Sequence, residues 1–291
     1  MAVGPHITAF FDEPTNTVSY LLSDPGTGAA AVIDPVLDFD PASGSVGTRS
    51  AEKVLAFANE QGLSIGLVLE THPHADHLTA AAVFKDRTGA KIGIGAGVCA
   101  VQKAFAPKFS AADVTCEGCE FDLLLDDGQR LGLGDLTIEV IATPGHTPAC
   151  ISYKIGDAVF VGDTLFMPDF GTARCDFPGG SAHQLYGSIQ RLLSLPPETR
   201  LFMCHDYKAP GRDMFAWETT VADQRAQNVH LGAGVCEATY AKMRQARDAK
   251  LAMPKLLLPA IQVNIRAGRF PPADADGVHY LKIPLTMTPG A

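Results

Sequence analysis

The sequence predicts a mixed α/β sandwich, and three observations support this fold class. The first 35 residues contain three short strand-like runs separated by turns rich in Asp, Pro and Gly. Segments with helical apolar spacing then alternate with further short apolar runs. Two later runs meet across Gly156-Asp157, which is typical of a hairpin. Strands joined by both helices and hairpins favour a mixed sandwich over an all-parallel sheet.

The elements follow in order. Ser50 is a suitable N-cap for the first helix, which ends before Gly62, and Pro196-Pro197 ends a later one. The predicted strands cover residues 7–11, 17–22, 29–33, 65–69, 91–94, 136–142, 151–155, 158–161 and 200–204. The predicted helices cover residues 51–61, 78–88, 182–195, 219–231 and 238–249.

Composition limits the classes of function. The chain has 291 residues, 46% hydrophobic and 19% charged, which is ordinary for a globular protein. No run reaches the roughly 18 apolar residues of a membrane span, and we see no secretion signal. Seven cysteines suit a reducing compartment, so we expect a cytoplasmic protein. The net charge of −9 argues against nucleic acid as a partner.

Charge is unevenly distributed along the chain. Residues 208–291 carry 11 Lys/Arg against 7 Asp/Glu, whereas residues 1–207 carry 12 against 25. A basic surface formed by Arg225, Lys255 and Arg266 is one interpretation, and it would suit a small anionic ligand. A solvated face that balances an acidic body is the other.

The strongest signal is the segment Thr71-His72-Pro73-His74-Ala75-Asp76-His77, directly after a predicted strand. In extended backbone His72 and His74 project to the same side. We expect Asp76 and His77 to begin the next helix and to turn back toward the same space. Imidazole and carboxylate groups suit Zn, Fe or Mn. Burying so many titratable groups together is costly without a cation, so the segment predicts a metal site.

Three further residues match this site. His146 follows a Pro-Gly turn after strand 136–142, Asp163 follows strand 158–161, and His205 follows strand 200–204. Each could be an ordinary turn residue when taken alone. Each also lies past the end of a strand, where loops on a rigid scaffold carry chemistry. Together they predict a single metal centre.

With these residues the sequence resembles the metallo-β-lactamase superfamily. The resemblance covers the His-x-His-x-Asp-His motif and the three later residues, within the first 207 positions. It implies a four-layer αββα sandwich, here a single domain over residues 1–291 with a helical and extended extension from about residue 208. It also implies one metal site formed by His72, His74 and His146. Asp163 would lie between that site and a second one formed by Asp76, His77 and His205.

Two branches of the superfamily compete: thiolester hydrolases of the glyoxalase II type and persulfide dioxygenases. The loop over residues 166–180, with its Arg174-Cys175-Asp176-Phe177 core, resembles the second branch. Cys204-His205-Asp206-Tyr207 and residues 254–268 also resemble it. From the length of the chain we expect no rhodanese domain, which some relatives carry.

The persulfide dioxygenase resemblance implies one iron(II) bound by His72, His146 and Asp163, with positions left open for the persulfide sulfur and O2. Glutathione persulfide would give sulfite and glutathione. Four residues would orient ligands and water: His74, Asp76, His77 and His205. We count Tyr207, His205 and Asp76 as catalytic candidates. Two alternatives stay open: a hydrolase with two zinc ions, and a metal-binding module without turnover.

Several residues outside the metal motif have candidate roles. Arg174 could bind a substrate carboxylate, although pairing with Asp176 or Asp169 is favoured, and Tyr207 could reach substrate or pack. Cys175 is expected to be an inert small residue, and the pair Cys116 and Cys119 to have at most a redox role. Arg225 and Arg266 join Arg174 and Tyr207 as substrate-binding candidates. Four histidines without a motif are treated as ordinary: His6, His183, His230 and His279. A homodimer is compatible with the sequence.

Overall fold

The computed structural model describes residues 4–287. Its strands, in chain order, are β1 (His6–Asp12), β2 (Thr17–Ser23), β3 (Ala29–Ile33), β4 (Val36–Asp40), β5 (Ser45–Gly47), β6 (Ser64–Leu69), β7 (Leu78–Thr79), β8 (Lys91–Gly95), β9 (Leu123–Leu125), β10 (Arg130–Leu133), β11 (Leu136–Ala142), β12 (Ile151–Ile155), β13 (Ala158–Phe160), β14 (Arg200–Phe202) and β15 (Glu218–Thr220). Its helices are α1 (Arg49–Glu60), α2 (Ala81–Thr88), α3 (Val98–Phe105), α4 (Ala182–Leu193), α5 (Val221–Gln227), α6 (Glu237–Asp248) and α7 (Leu257–Asn264).

Two six-stranded sheets form the centre of the fold. The first has the order β1-β2-β3-β6-β8-β9, with antiparallel β1, β2 and β3 followed by parallel β6, β8 and β9. The second has the order β10-β11-β12-β13-β14-β15, in which only β13 and β14 are parallel. Strand β4 joins β5 and β7 in a small third sheet. The mixed pairing confirms the predicted fold class.

The core lies in three layers. Tyr20 and Ile33 of the first sheet meet Tyr153 and Phe160 of the second in the layer between the sheets. Helices α1, α2, α3 and α7 cover the outer face of the first sheet. Helices α4 and α6 cover the outer face of the second. The arrangement is a four-layer αββα sandwich, as the resemblance implied.

The predicted helix over residues 78–88 is wrong at its start. Leu78 and Thr79 form β7, and Thr79 pairs with Val36 of β4, so the helix begins only at Ala81. Asp76 and His77 therefore lie in a loop rather than in a first helical turn. Tertiary strand pairing overrides the local helical pattern here.

The predicted helix over residues 219–231 is also shorter than expected. Thr219 pairs with Leu201 in β15, and the side chain of Thr220 then caps α5 by accepting from the Asp223 amide over 3.1 Å. Two helices, α3 and α7, were not predicted. No helix of the described chain is long and apolar enough to cross a membrane.

Candidate metal centre

Four loops that follow strands converge at one edge of the sandwich. They follow β6, β11, β13 and β14, and they carry the seven predicted metal-site residues. The close approach of two of these loops requires a glycine. Gly162 has φ +51°, and a Cβ on it would lie 2.7 Å from Thr71. The structure thus brings the seven residues together at the ends of strands, where the sequence analysis expected them.

His72, His146 and Asp163 form one cluster of donor atoms. Asp163 Oδ2 lies 4.0 Å from His72 Nε2 and 3.7 Å from His146 Nε2. All three side chains are buried. Two ligand atoms that are each about 2.1 Å from a shared ion are separated by at most about 4.2 Å. The spacing therefore fits one metal ion.

A second group lies on the other side of Asp163. Asp76 Oδ2 lies 3.4 Å from both His77 Nδ1 and His205 Nε2. Asp163 Oδ1 is 3.4 Å from His205 Nε2, so the two oxygens of this carboxylate face different groups. This matches the position between two sites that the resemblance implies for Asp163.

Asp34, which the sequence analysis missed, fixes the tautomers of two histidines. Thr71 Oγ1 donates its only proton to Asp34 Oδ2 over 2.8 Å. The same Oγ1 can therefore only accept from His72 Nδ1, which lies 3.0 Å away, so the proton of His72 is on Nδ1. His74 Nε2 donates to Asp34 Oδ1 over 2.9 Å. The lone pairs of His72 Nε2 and His74 Nδ1 are thereby left for a metal.

His146 is oriented in the same way by the loop that carries Arg174. Its Nδ1–H donates to the Arg174 carbonyl oxygen over 2.7 Å. Its Nε2 lone pair consequently points at Asp163. An oriented imidazole of this kind is typical of metal ligands.

Unpartnered polar atoms provide a direct test of metal fit. Buried polar atoms without a hydrogen-bond partner cost free energy and are rare. Of seven such side-chain atoms found among the described residues, five belong to the cluster: His72 Nε2, His74 Nδ1, His77 Nε2, His205 Nε2 and Asp163 Oδ1. A cation in either group of donors would satisfy those of the five atoms that face it. The residues fit a metal ion.

The electrostatics agree with this interpretation. Burial and the neighbouring histidines lower the pKa of His72 and His74 well below the ordinary value, so both are neutral. Burial raises the pKa of Asp163. Burial also opposes the ionisation of Asp76, but His205 and His77 lower its pKa overall. His72 and His74 are thus in the neutral form that binds metals, whereas Asp76 and Asp163 raise the pKa of His205 against the effect of burial.

Glu70 is the second buried carboxyl that the sequence analysis missed. It contacts Thr79 Oγ1 and lies 3.6 Å from His74 Nε2. Burial, and next the charge of Asp34, raise its pKa well above the ordinary value. Its position directly before the motif was a usable signal, as was that of Asp34 at the end of β3.

A cavity of about 640 Å³ opens onto the metal centre at Asp76, His146 and Asp163. Its lining includes both aromatic and basic side chains. The aromatic side chains are Phe166, Phe170, Phe177 and Tyr207. The basic side chains are Arg174, Arg244, Arg247 and Lys255. This size lies within the usual range for small-molecule sites.

The predicted substrate contacts divide into two groups. Arg174 and Tyr207 line the cavity. The Arg174 guanidinium, however, binds both oxygens of Asp176, over 2.6 and 2.7 Å, and the Ala252 carbonyl oxygen over 2.7 Å. The ring of Tyr207 stacks on His205 at a centroid distance of 5.5 Å.

Arg225 and Arg266 lie away from the cavity, so the structure does not support them as substrate contacts. Arg225 bonds to the carbonyl oxygen of Leu193 at the end of α4. Arg266 is buried and pairs with Asp113 over 2.7 and 2.8 Å. Both guanidinium groups bind protein partners outside the cavity. Lys255, by contrast, does line the cavity.

The cysteines are all free thiols. Cys175 is buried, its Sγ lies 3.5 Å from Asp248 Oδ2, and burial raises its pKa to about 12. A thiol with so high a pKa is unreactive, as expected for an inert small residue. The redox role considered for Cys116 and Cys119 stays a prediction.

Comparisons with known proteins identify relatives of this chain. A probable metallo-hydrolase of Burkholderia pseudomallei is 52% identical over 290 residues, 96% of this chain and 98% of the relative. Glyoxylase B2 of Dictyostelium discoideum is 44% identical over 96% of each chain. The mitochondrial persulfide dioxygenase ETHE1 of Homo sapiens is 28% identical over 89% of this chain and 87% of the relative.

The crystal structure of ETHE1 from Myxococcus xanthus superimposes with a TM-score of 0.73 and 31% identity. It covers 91% of this chain and 100% of that one. The profile of the metallo-beta-lactamase superfamily matches residues 12–205, which include all seven metal-site residues. With its αββα fold and its buried His/Asp metal centre, this chain belongs to the metallo-β-lactamase superfamily.

Proposed function

We propose that this protein is an iron(II)-dependent persulfide dioxygenase, which oxidises glutathione persulfide with O2 and water to sulfite and glutathione. The observation that carries the proposal is the cluster of His72, His146 and Asp163, of which His146 and Asp163 line a cavity of about 640 Å³. Two histidines and one carboxylate leave several coordination positions open, as in non-haem iron oxygenases. Iron(II) held there supplies the one-electron chemistry that O2 requires.

The protein's own residues then orient the reactants. The Arg174 carbonyl fixes His146, and Thr71 with Asp34 fixes His72, so both Nε2 atoms are directed without reorganisation during turnover. Release of sulfite needs water and an acceptor for its protons. The pair of Asp76 and His205, 3.4 Å apart beside Asp163, is suited to orient that water and to hold a proton.

The cavity lining supports an anionic thiol carrier such as glutathione. Arg174 and Arg244 are neutralised by Asp176 and Asp248. Arg247 and Lys255 are exposed and have no ion-pair partner among the described residues, so they add positive charge to the cavity lining. In a protein with net charge −9, such a local excess of cations favours carboxylate-bearing ligands.

A dinuclear zinc hydrolase for glutathione thiolesters is the second candidate. The observation that favours it is the second group of donors, in which His77 Nε2 and His205 Nε2 lack partners. These atoms could hold a second ion with Asp76. The similarity to Glyoxylase B2 of Dictyostelium discoideum supports the same candidate. A metal-binding module without turnover would not need a cavity of about 640 Å³ at its metal.

Metal content and oxygen uptake distinguish the candidates. Protein purified without oxygen should contain one iron per chain, consume O2 with glutathione persulfide and release sulfite. Asp163→Asn is the matched negative control. Two zinc ions per chain together with turnover of S-lactoylglutathione, and no oxygen uptake by the iron-loaded form, would contradict the proposal.

A further inference from the structure

His230, which sequence analysis treated as an ordinary histidine, lies in the wall of the active-site cavity. Its Nδ1 accepts from the backbone N–H of Thr172 over 3.0 Å. A backbone amide can only donate, so Nδ1 must carry a lone pair. In the neutral imidazole the proton is therefore on Nε2.

The ring is held firmly in this orientation. Gly171 has φ +104°, and a Cβ there would lie 2.2 Å from His230 Nδ1, so only glycine allows this approach. Asn228 Oδ1 accepts from the His230 amide over 2.9 Å, and Asn228 Nδ2 donates to the Gly171 carbonyl oxygen over 3.1 Å. Backbone and ring are both fixed, so Nε2 has a defined direction.

The Nε2 atom has no hydrogen-bond partner among the described residues. It is also not among the fully buried side-chain atoms that lack a partner, so some of its surface is exposed. Since His230 lines the cavity, Nε2–H is accessible there. Burial, and then the charges of Arg244 and Arg247, lower its pKa to about 4, with Asp248 opposing the shift. The imidazole is therefore neutral near pH 7, and Nε2 is a donor.

We infer that His230 is a substrate-specificity residue, whose Nε2–H donates a hydrogen bond to a carboxylate or peptide oxygen of the thiol carrier. The cations of Arg247 and Lys255 in the same cavity would draw such an oxygen to this wall. The inference rests on the proposed function for the class of carrier. It assigns the contact to a residue outside the metal motif.

Two substitutions separate substrate binding from a structural role. His230→Asn keeps an acceptor near the Nδ1 position but removes the distal donor, whereas His230→Gln keeps a distal amide donor and loses the acceptor for Thr172. The probe is S-methylglutathione, an unreactive analogue, titrated calorimetrically into the metal-loaded protein. We expect Kd to rise about tenfold in His230→Asn and to stay within about threefold of wild type in His230→Gln. His183→Asn, which changes an exposed histidine paired with Glu237, is the surface control.

The outcomes are distinct. The inference would be overturned if the Kd for S-methylglutathione in His230→Asn equalled that of wild type, or if the Kd rose in His230→Gln alone. Either result would mean that the ring only supports Thr172. Absence of S-methylglutathione binding by wild type would also overturn it. Melting temperatures of the metal-loaded variants identify any variant that binds weakly because it is unfolded. Failure of the proposed function looks different: wild type would bind S-methylglutathione but consume no O2 with glutathione persulfide.

Discussion

The side-chain amide of Asn264 donates to the carbonyl oxygen of His74 over 2.8 Å. The same Nδ2 donates to the His77 carbonyl oxygen over 2.8 Å, and Oδ1 accepts from the Thr79 amide over 2.9 Å. Asn264 is the last residue of α7 and is buried. One side chain, about 190 positions further along the chain, thus holds the loop that carries the metal motif.

Asn264→Ala should weaken both the fold and the metal site. Three backbone groups of the loop lose a buried partner, which costs about 2–4 kcal/mol of the free energy of unfolding. Urea unfolding and chelator competition measure the two effects. Gln262→Ala is the matched control, because Gln262 is buried on the same helix but bonds to Leu258 and Lys282. It should lose stability without losing metal affinity. Equal metal affinity in both variants would contradict the role of Asn264.

Asp163→Asn should separate metal binding from stability. The amide lacks the charge that a cation needs, so we expect loss of most of the metal and at least about a hundredfold loss of kcat/KM. The metal-free variant should melt at or above wild type, because burial raises the pKa of Asp163 despite the opposing effect of His205 and His146. Elemental analysis and thermal melts of chelated protein test this. A metal-free variant that melts well below wild type would show that the carboxylate stabilises the fold itself.

Arg174 and Asp176 should behave as a structural pair. If the ion pair holds the loop, Arg174→Ala and Asp176→Ala should each destabilise the protein, with a coupling free energy of about 1 kcal/mol in a double-mutant cycle. Neither substitution should change the KM for the substrate much. If Arg174 instead binds substrate, only Arg174→Ala should raise KM, and freeing the arginine in Asp176→Ala should leave KM equal or lower.

Local signals explain what could be predicted from the sequence. The seven metal-site residues lie in loops that follow predicted strands, which favoured a shared site, and the superfamily resemblance placed that site at one edge of the sheets. Strand β7 escaped prediction because its two residues continue a helical pattern and become a strand only by pairing with β4. The interpretation of Arg266 was wrong for a similar reason, since its partner Asp113 lies 153 positions away.

The contacts of residues whose partners lie far away in the chain could not be predicted from the sequence. Asp34 is a single acidic residue in an Asp-Pro turn, and only the folded chain brings it to Thr71 and His74. His230 has no motif around it, and its role depends on the close approach of Gly171. The position of Asp34 at a strand end was a signal, but its partners were not, because such contacts form only when the sheets and the C-terminal helices are assembled.

Arg247 and Lys255 should control the affinity for an anionic substrate. Arg247→Gln and Lys255→Gln should each raise KM for glutathione persulfide about three- to tenfold, with little change in kcat, because they remove cations from the cavity lining but no metal contact. The effect should shrink at high ionic strength. Lys250→Gln is the control, since Lys250 is exposed on the same segment but does not line the cavity. An equal change in KM for Lys250→Gln would indicate only a long-range charge effect.

The pKa of His230 should appear in the pH dependence of stability. The folded pKa is lowered to about 4, whereas an unfolded histidine titrates near about 6.5. Between these values the unfolded chain binds a proton that the native state does not, so stability falls as the pH falls from about 6.5 to about 4. Asparagine and glutamine cannot take up that proton. Between pH 7 and pH 5, metal-free His230→Asn and His230→Gln should therefore lose about 1–2 kcal/mol less of the free energy of unfolding than metal-free wild type. The other histidines are common to all three proteins and cancel in the comparison. Urea unfolding at the two pH values measures the difference, and parallel losses in all three proteins would mean that the folded imidazole is not held neutral.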